Sequence, residues 1–326
     1  MRRVVHRHES SRGSDTIRHP TGGLRPRETV VQSTTPRSEV VRIRPDLNLR
    51  VLRWEGRRPG FVLVHGLASN ARLWTGVAEA LSGGGAGHAV TAIDLRGHGE
   101  SQVADSGYDT ATAAADVADV IGCLGLERPI VAGQSWGGNV AVELAAAHPD
   151  AVGGLALVDG GWIRLRDSFD NWDDALQSLT PPDLTGRSWA EIPAFMRAAH
   201  PDWADWAIEA TVANLQALPN GTVRARLARD HHLSILRSMW DHSITDRFGR
   251  VEVASLLVPA GNRSGPKLDA VERASAAIVR SEVRWYEGAD HDVHAQHPTE
   301  LAADLLTLAA RAGRSGIGPA TDRSAL

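Results

Sequence analysis

Short apolar runs alternate along this chain with stretches of helical periodicity, and no other feature constrains the fold as strongly. A short apolar run is typical of a buried parallel strand, whereas apolar residues spaced three and four apart indicate a helix. Sustained alternation predicts an α/β fold with a mostly parallel sheet flanked by helices on both faces. Strands are predicted at residues 39–44, 49–54, 61–64, 89–93, 130–132 and 155–158, and helices at 71–81, 110–124 and 139–147.

The alternation stops between residues 162 and 250, where helical stretches and proline breaks accompany six of the ten tryptophans. We interpret this segment as an insertion into the sheet and not as an independent second domain. The core would then consist of residues 39–160 and 251–312. Alternation resumes with a strand at 255–258, a helix at 267–279, a strand at 282–286 and a helix at 298–311.

The two ends of the chain lack apolar periodicity. We expect residues 1–38 and 313–326 to be disordered extensions, and a basic interaction arm is the alternative for the first. No apolar stretch follows Arg2 and Arg3, although a secretory or twin-arginine signal requires one. The sequence therefore predicts a cytoplasmic protein.

Composition excludes several classes of protein. Hydrophobic residues make up 42% of the 326 residues and the net charge is −4, which excludes overall disorder and argues against nucleic acid as a main partner. Cys123 is the only cysteine, so no intramolecular disulfide can form. No apolar run reaches the roughly 20 residues of a membrane span. An enzyme or a small-molecule binder without membrane or nucleic-acid partners is the class that remains.

One motif carries a candidate nucleophile. Residues 133–137 read Gly-Gln-Ser-Trp-Gly and fit G-x-S-x-G, with a predicted strand before them and a predicted helix after them. A nucleophile elbow turns so sharply that only small residues fit at the flanking positions. The turn places Ser135 above the sheet at a helix N-terminus, where free backbone N–H groups favour a developing oxyanion.

A second motif, His-Gly-Leu at residues 65–67, directly follows a predicted strand. With the G-x-S-x-G motif, it makes the chain resemble the α/β-hydrolase family from about residue 39 to 311, most weakly across the insertion. The resemblance implies an oxyanion hole formed by the backbone N–H groups of Leu67 and Trp136. It also implies that His65 holds this loop and transfers no proton.

Residues 94–101 resemble the family's D-x-R-G-x-G-x-S stretch. We interpret them as a structural turn with a buried ion pair, and we assign His98 no catalytic role. The glycine-rich residues 83–87 follow a predicted helix and not a strand, so they do not form a dinucleotide-binding turn. We expect no cofactor and no metal.

The candidate general base is His291. Gly288, two residues and then His291 are followed seven residues later by Pro298, similar to the family's pattern around its catalytic histidine. His294 and His297 are close enough in sequence to be rivals. Together with Asp292 these histidines also allow a metal site, although the neighbouring glycine and proline favour a loop.

The position of the candidate catalytic acid differs from the commoner family pattern. The loop after the seventh strand, residues 261–265, carries no carboxylate, and Asp269 lies too far into the next helix. A minority of the family has the acid at the end of the sixth strand, where this chain has Asp159. Its role would be to fix the imidazole tautomer and stabilise the imidazolium. Asp292, a dyad without an acid, or another carboxylate are the alternatives.

The resemblance further implies that residues 161–250 form a helical cap domain over the site. Its tryptophans, Trp162, Trp172, Trp189, Trp203, Trp206 and Trp240, suit a pocket for a hydrophobic group, although several would simply join the cap to the core. The sequence predicts a serine esterase with a catalytic triad that cleaves an ester, thioester or lactone of a hydrophobic small molecule. The alternatives are a carbon–carbon bond hydrolase, an aminopeptidase-like enzyme and a non-catalytic ligand binder.

Overall fold

The computed structural model describes residues 35–83 and 86–315. Most of the two extensions predicted to be disordered lies outside these residues. The described strands and helices extend slightly beyond the core predicted from the sequence. The first strand, β1, begins at Arg37, because Arg37 and Ser38 pair with the second strand, and the last helix, α10 (Pro298–Ser315), continues past residue 312.

Eight strands of the described chain form one sheet in the order β1-β2-β4-β3-β5-β6-β9-β10. The strand β2 is antiparallel to both of its neighbours, and the pairs from β4 to β10 are parallel. The predicted mostly parallel sheet is therefore confirmed. The strands are β1 (Arg37–Arg44), β2 (Leu47–Trp54), β3 (Arg57–Val64), β4 (His88–Ile93), β5 (Ile130–Gln134), β6 (Gly154–Val158), β9 (Ala254–Val258) and β10 (Ser281–Val283).

Alternate residues of the central strands pack on opposite faces of this sheet. Val62 and Val64 contribute to one apolar cluster, while Phe61 and Leu63 contribute to the other. Successive side chains of a strand point to opposite faces, and here both faces are buried. These strands therefore appear in the sequence as continuous apolar runs. The helices α1 (Thr75–Ser82) and α10 cover one face, and α2 (Thr110–Cys123), α3 (Trp136–Ala147) and α8 (Gly265–Ala277) cover the other.

The sequence predicts a helical cap between β6 and β9, but this segment is not wholly helical. It contains a two-stranded antiparallel hairpin, which turns at Asn220 and Gly221, the latter with φ 80°. Strands of three residues are too short to show an alternating apolar pattern in the sequence. The segment comprises α4 (Trp172–Leu179), α5 (Ile192–Ala199), α6 (Asp205–Val212), β7 (Leu215–Ala217), β8 (Val223–Ala225) and α7 (Arg229–Asp241).

This inserted segment packs its own apolar cluster against the loops at the carboxyl edge of the sheet. Leu73, in the turn that precedes α1, and Ala295, in the short helix α9 (Val293–Gln296), belong to the same cluster as Trp203 and Ile208 of the insertion. The Nδ2 of Asn70 donates a hydrogen bond to the carbonyl of Ala210 at 2.8 Å. In the described residues, no helix combines the length and apolarity that crossing a membrane requires.

Candidate active site

Ser135 lies in the tight turn between β5 and α3 with φ 54° and ψ −124°. A positive φ is rare for a residue with a side chain and costs of order 1–3 kcal/mol, so this turn is strained. The glycines of the motif allow the close approach. A Cβ atom on Gly133 would collide with the carbonyl of Gly137, and one on Gly137 would collide with the carbonyl of His65.

The sheet's hydrogen bonds continue one step beyond the strands into the candidate site. The Ser135 N–H donates to the Val158 carbonyl at 2.9 Å, and the Asp159 N–H donates to the Val258 carbonyl at 2.8 Å. Ser135 and Asp159 therefore follow two adjacent parallel strands at the same edge, where the carboxyl ends of strands in open α/β sheets form binding sites. Asp159 also has a positive φ, 40°.

His291 is hydrogen-bonded to Asp159, with 2.7 Å between Nδ1 of the ring and Oδ2 of the carboxylate. An ionised carboxylate can only accept hydrogen bonds, so in the neutral ring Nδ1 carries the proton and Nε2 keeps its lone pair. The Asp159 side chain is 3% exposed, whereas that of His291 is 52% exposed. Gln134, the residue before Ser135, donates from Nε2 to the His291 carbonyl at 3.2 Å.

The pKa values of both groups shift in the direction expected of a proton-relay pair. Burial alone would lower the pKa of His291, but the hydrogen bond to Asp159 and its negative charge outweigh burial and raise it. Burial would raise the pKa of the Asp159 carboxyl, but the hydrogen bond and charge of His291, the Ala260 N–H and the charge of Lys267 lower it. The pair therefore favours an ionised Asp159, which stabilises a protonated imidazole.

The second partner of Asp159 is a residue that no sequence motif marks. The Lys267 Nζ lies 3.0 Å from Oδ1 and 3.1 Å from Oδ2 of Asp159, and 3.0 Å from the Ala260 carbonyl. The Ala260 N–H donates to Oδ1 at 3.0 Å. Lys267 is the only lysine of the chain, in which every other permanently basic side chain is arginine. That exception was the available signal, and it lies just after the loop that lacks the expected carboxylate.

The predicted oxyanion loop lies beside the elbow. A Cβ atom built on Gly66 would lie 3.0 Å from the Cβ of Ser135. Trp136 is the first residue of α3, so its N–H has no acceptor one turn earlier in the helix. The Leu67 N–H has no hydrogen-bond partner among the residues that the structure describes. Both amides expected to form the oxyanion hole are thus in segments that flank Ser135.

His65 connects this loop to the neighbouring strand. Its Nδ1 lies 2.7 Å from the Gly66 carbonyl, and its Nε2 accepts a hydrogen bond from the Leu95 N–H at 3.0 Å. Burial lowers the pKa of His65 to about 4, so the ring is neutral at physiological pH. These bonds match the structural role that the resemblance implies.

The rivals of His291 have different surroundings. His294 is fully buried, and within residues 35–83 and 86–315 neither of its ring nitrogens has a hydrogen-bond partner. The Nδ1 of His297 lies 3.6 Å from a carboxylate oxygen of Glu300. Asp292 precedes α9, and its carbonyl accepts hydrogen bonds from that helix. No group of three or more metal-ligating side chains converges in the described part of the chain.

Residues 94–101 form a turn with buried ion pairs, as expected. The Nη1 of Arg50 lies 3.1 Å from the Asp94 carboxylate, and Nε of Arg96 lies 2.6 Å from that of Asp116. His98 is buried, and burial together with the neighbouring His65 lowers its pKa to about 3.

Three of the six tryptophans in the insertion, Trp162, Trp203 and Trp240, are buried. Trp240 meets Trp172 edge to face, with 5.9 Å between the ring centroids. Trp203 stacks on His200 at 3.9 Å. These two ring contacts join parts of the insertion to one another. Trp162 and Trp240 also belong to the apolar cluster that contains Val62 of the sheet, which is the expected contact between insertion and core.

Comparisons with known proteins identify the family to which this fold belongs. A family model described as alpha/beta hydrolase fold matches residues 59–234, more than half of the chain. The lipase LipV of Mycobacterium tuberculosis is 30% identical over 287 residues, which cover 84% of this chain and 99% of that protein. An esterase of the same organism is 37% identical over 125 residues, 38% of this chain and 40% of the esterase.

Uncharacterized proteins of Mycobacterium bovis and Mycobacterium tuberculosis match over a shorter segment than the lipase. They are 35% identical over 114 residues, and the match spans 33% of their length. Among solved structures, an E-2-(acetamidomethylene)succinate hydrolase superimposes with a TM-score of 0.70 at 22% identity. That likeness covers 84% of this chain and 98% of the hydrolase, and it concerns the fold alone.

Proposed function

The chain belongs to the α/β-hydrolase fold family, and from this premise we propose that it is a serine hydrolase acting through an acyl-enzyme. Its substrate is an ester, thioester or lactone of a hydrophobic small molecule. Support for hydrolysis comes from relatives named as a lipase and an esterase. The observation that carries the serine mechanism is the 2.7 Å hydrogen bond between His291 and a buried Asp159, beside the strained elbow of Ser135.

In the first half-reaction, Nε2 of His291 takes the proton of the Ser135 hydroxyl while Oγ attacks the substrate carbonyl carbon. The negative charge that develops on the carbonyl oxygen is stabilised by the N–H groups of Leu67 and Trp136. The imidazolium, held by Asp159, then gives its proton to the departing alkoxide or thiolate. This leaves an acyl group on Ser135 and a neutral His291.

In the second half-reaction, water replaces the alcohol or thiol. His291 removes a proton from the water, the hydroxyl attacks the acyl carbon, and the proton returns to Ser135 as the carboxylic acid leaves. A hydrophobic acyl or alkoxy group is favoured because the insertion that contacts this edge of the sheet is rich in tryptophan.

Covalent labelling tests the proposal directly. A fluorophosphonate probe should label the wild-type protein at Ser135, and Ser135→Ala should abolish both labelling and p-nitrophenyl ester turnover. Ser234→Ala serves as the matched control, because Ser234 is a serine of α7 whose hydroxyl bonds only its own helix. His291→Ala should lower kcat by several orders of magnitude, whereas His294→Ala and His297→Ala should cost far less.

Contrary outcomes identify the alternatives. Labelling that persists in Ser135→Ala would refute the nucleophile, and a wild-type protein that neither reacts with the probe nor turns over an ester would be a non-catalytic binder. Activity lost in chelator and restored by a divalent metal would replace the triad with a metal site.

A further inference from the structure

The carboxylate of Asp159 is held by more groups than a serine–histidine–acid relay requires. Its Oδ2 accepts from His291, its Oδ1 accepts from the Ala260 N–H, and Lys267 Nζ bridges both oxygens. The side chain of Asp159 is 3% exposed, so these partners replace nearly all of its hydration. A buried carboxylate without such partners would be strongly destabilised.

Lys267 reaches Asp159 from the first turn of α8, the helix that follows the loop after β9. In the commoner family pattern that loop supplies the acid, but here residues 261–265 carry no carboxylate. The arrangement is instead complementary, because β6 supplies the carboxylate and the segment after β9 supplies a cation that binds it. Lys267 also donates to the Ala260 carbonyl, so its ammonium group bonds both the end of β9 and the acid.

We propose that Lys267 is a positioning residue of the proton relay, which fixes the Asp159 carboxylate toward His291 and limits how strongly that carboxylate favours the protonated imidazole. The inference rests on the proposed serine hydrolase function. The ammonium group of Lys267 bonds the Asp159 carboxylate and the Ala260 carbonyl, and its effect on the relay passes through Asp159.

The charged groups around His291 act on its protonation in opposite directions. Asp159 and Asp292 both favour the imidazolium, while Lys267 opposes it, and His294 is a further titratable ring nearby. A serine hydrolase needs His291 neutral when Ser135 is to lose its proton. By offsetting part of the negative charge on Asp159, Lys267 keeps more of His291 in the neutral form near pH 7.

A purely structural role for Lys267 makes a different prediction. If Lys267 only tied α8 to the end of β9, its removal would lower the melting temperature and leave the pH dependence of the reaction unchanged. The pH profile therefore separates the two roles.

The experiment compares Lys267→Met, which removes the charge at similar length, with Lys267→Arg, which retains it. The matched control is Arg273→Met, since Arg273 lies on the same helix and pairs through Nη2 with Asp167 at 2.7 Å. The measurement is kcat/KM for a p-nitrophenyl ester as a function of pH, with the melting temperature of every variant.

In Lys267→Met the plateau of kcat/KM should fall roughly tenfold. The midpoint of its acid limb should rise by roughly half to one pH unit, as loss of a cation a few ångströms away predicts. Lys267→Arg should restore the wild-type midpoint, and Arg273→Met should keep it. A wild-type midpoint in Lys267→Met would overturn the proposal, whatever happens to the rate or the stability.

Chemical modification gives a second test if Lys267→Met does not fold. Because Lys267 is the only lysine, amine-directed reagents modify this side chain and the chain's amino terminus alone. Acetylation removes the charge and should raise the midpoint of the acid limb, while reductive methylation keeps the charge and should not. Identical profiles for the two modified proteins would overturn the proposal.

Failure of this inference is distinguishable from failure of the proposed function. If the wild-type protein is labelled at Ser135 and the midpoint does not respond to Lys267, the serine mechanism stands and only the role of Lys267 is refuted. If the wild-type protein is not labelled, the function itself is refuted and the positioning role is refuted with it.

Discussion

Asp116 and Asp159 are both buried carboxylates that bind two basic side chains, but their partners differ in kind. Asp116 binds Arg96 through two hydrogen bonds, at 2.6 and 2.7 Å, and it also binds Arg44. Arginine keeps its charge at every physiological pH. Asp159 binds Lys267 and His291, and the half-exposed imidazole can gain or lose a proton in that range.

The difference shows how one interaction serves two purposes. The buried carboxylate of Asp116 fixes the loop of residues 94–101 to α2 through its ion pair with Arg96. A buried carboxylate between a lysine and a histidine at a strand end responds to each proton that the histidine accepts. Substitutions at the two positions should therefore affect different properties of the protein.

The largest effect is expected for Asp159→Asn, which keeps the volume and removes the charge. It should lower kcat by roughly 10² to 10⁴, with little change in KM, because the imidazolium loses its counter-charge and its tautomer is no longer fixed. Steady-state kinetics with a p-nitrophenyl ester measure this. A two- to threefold loss of kcat would reject Asp159 as the acid and would make it a structural carboxylate like Asp116.

A smaller and different effect is expected for Asp116→Asn. Removing one partner of a buried ion pair leaves Arg96 without its counter-charge, which typically costs about 3–5 kcal/mol of unfolding free energy. Urea denaturation measures the loss. Activity per folded molecule should stay near the wild-type value, and a selective loss of kcat without a loss of stability would contradict the comparison.

The smallest effect is a shift in the pH dependence of kcat/KM. Since Asp159 raises the pKa of His291 above its ordinary 6.5, the acid limb of kcat/KM should have its midpoint above that value. The raised pKa stabilises the fold fully below the unfolded pKa, and this contribution is lost as pH rises through the folded pKa. In Asp159→Asn any residual activity should have its acid limb at lower pH, because the carboxylate no longer favours the imidazolium.

The stability that Asp159 contributes depends on pH in the opposite direction from that of His291, because the pKa of Asp159 is lowered. It contributes stability above its ordinary pKa of 3.8 and loses that contribution as pH falls through the folded value. Thermal melts of wild type and Asp159→Asn across this acid range would measure it. Curves that differ by a constant at every pH would show that Asp159 does not carry the charge that the relay needs.

The sequence predicted the central strands well because their apolar runs face two apolar clusters. The start of α3 was placed at Asn139, three residues late, because the glycines of the elbow hide the helical periodicity of its first turn. The hairpin of β7 and β8 was missed for the opposite reason, since three-residue strands contain no period to detect. Local pattern thus reveals elements that are long and buried.

Some residues of the candidate site could likewise be predicted from local sequence, and one could not. Ser135 and His291 follow predicted strands in recognisable motifs, and Asp159 follows a predicted strand without one. The structure places a hydrogen bond between His291 and Asp159. Lys267 has no such motif, because a lysine in the first turn of a helix is ordinarily a solvated side chain. Its partner is 108 residues earlier in the chain, and only the adjacency of β6 and β9 brings the two together.

The adjacency of β6 and β9 also bears on how the molecule can diversify. Because the two strands are parallel neighbours, the chain between them leaves at one edge of the sheet and must return at the other, so the insertion is an enlarged crossover connection. Each doubling of a flexible connection costs only about 0.6 kcal/mol in closure entropy. This crossover can therefore be lengthened, shortened or exchanged while the ladder of β5, β6 and β9 keeps Ser135 and Asp159 in register, which makes the crossover the natural segment for grafting new specificities.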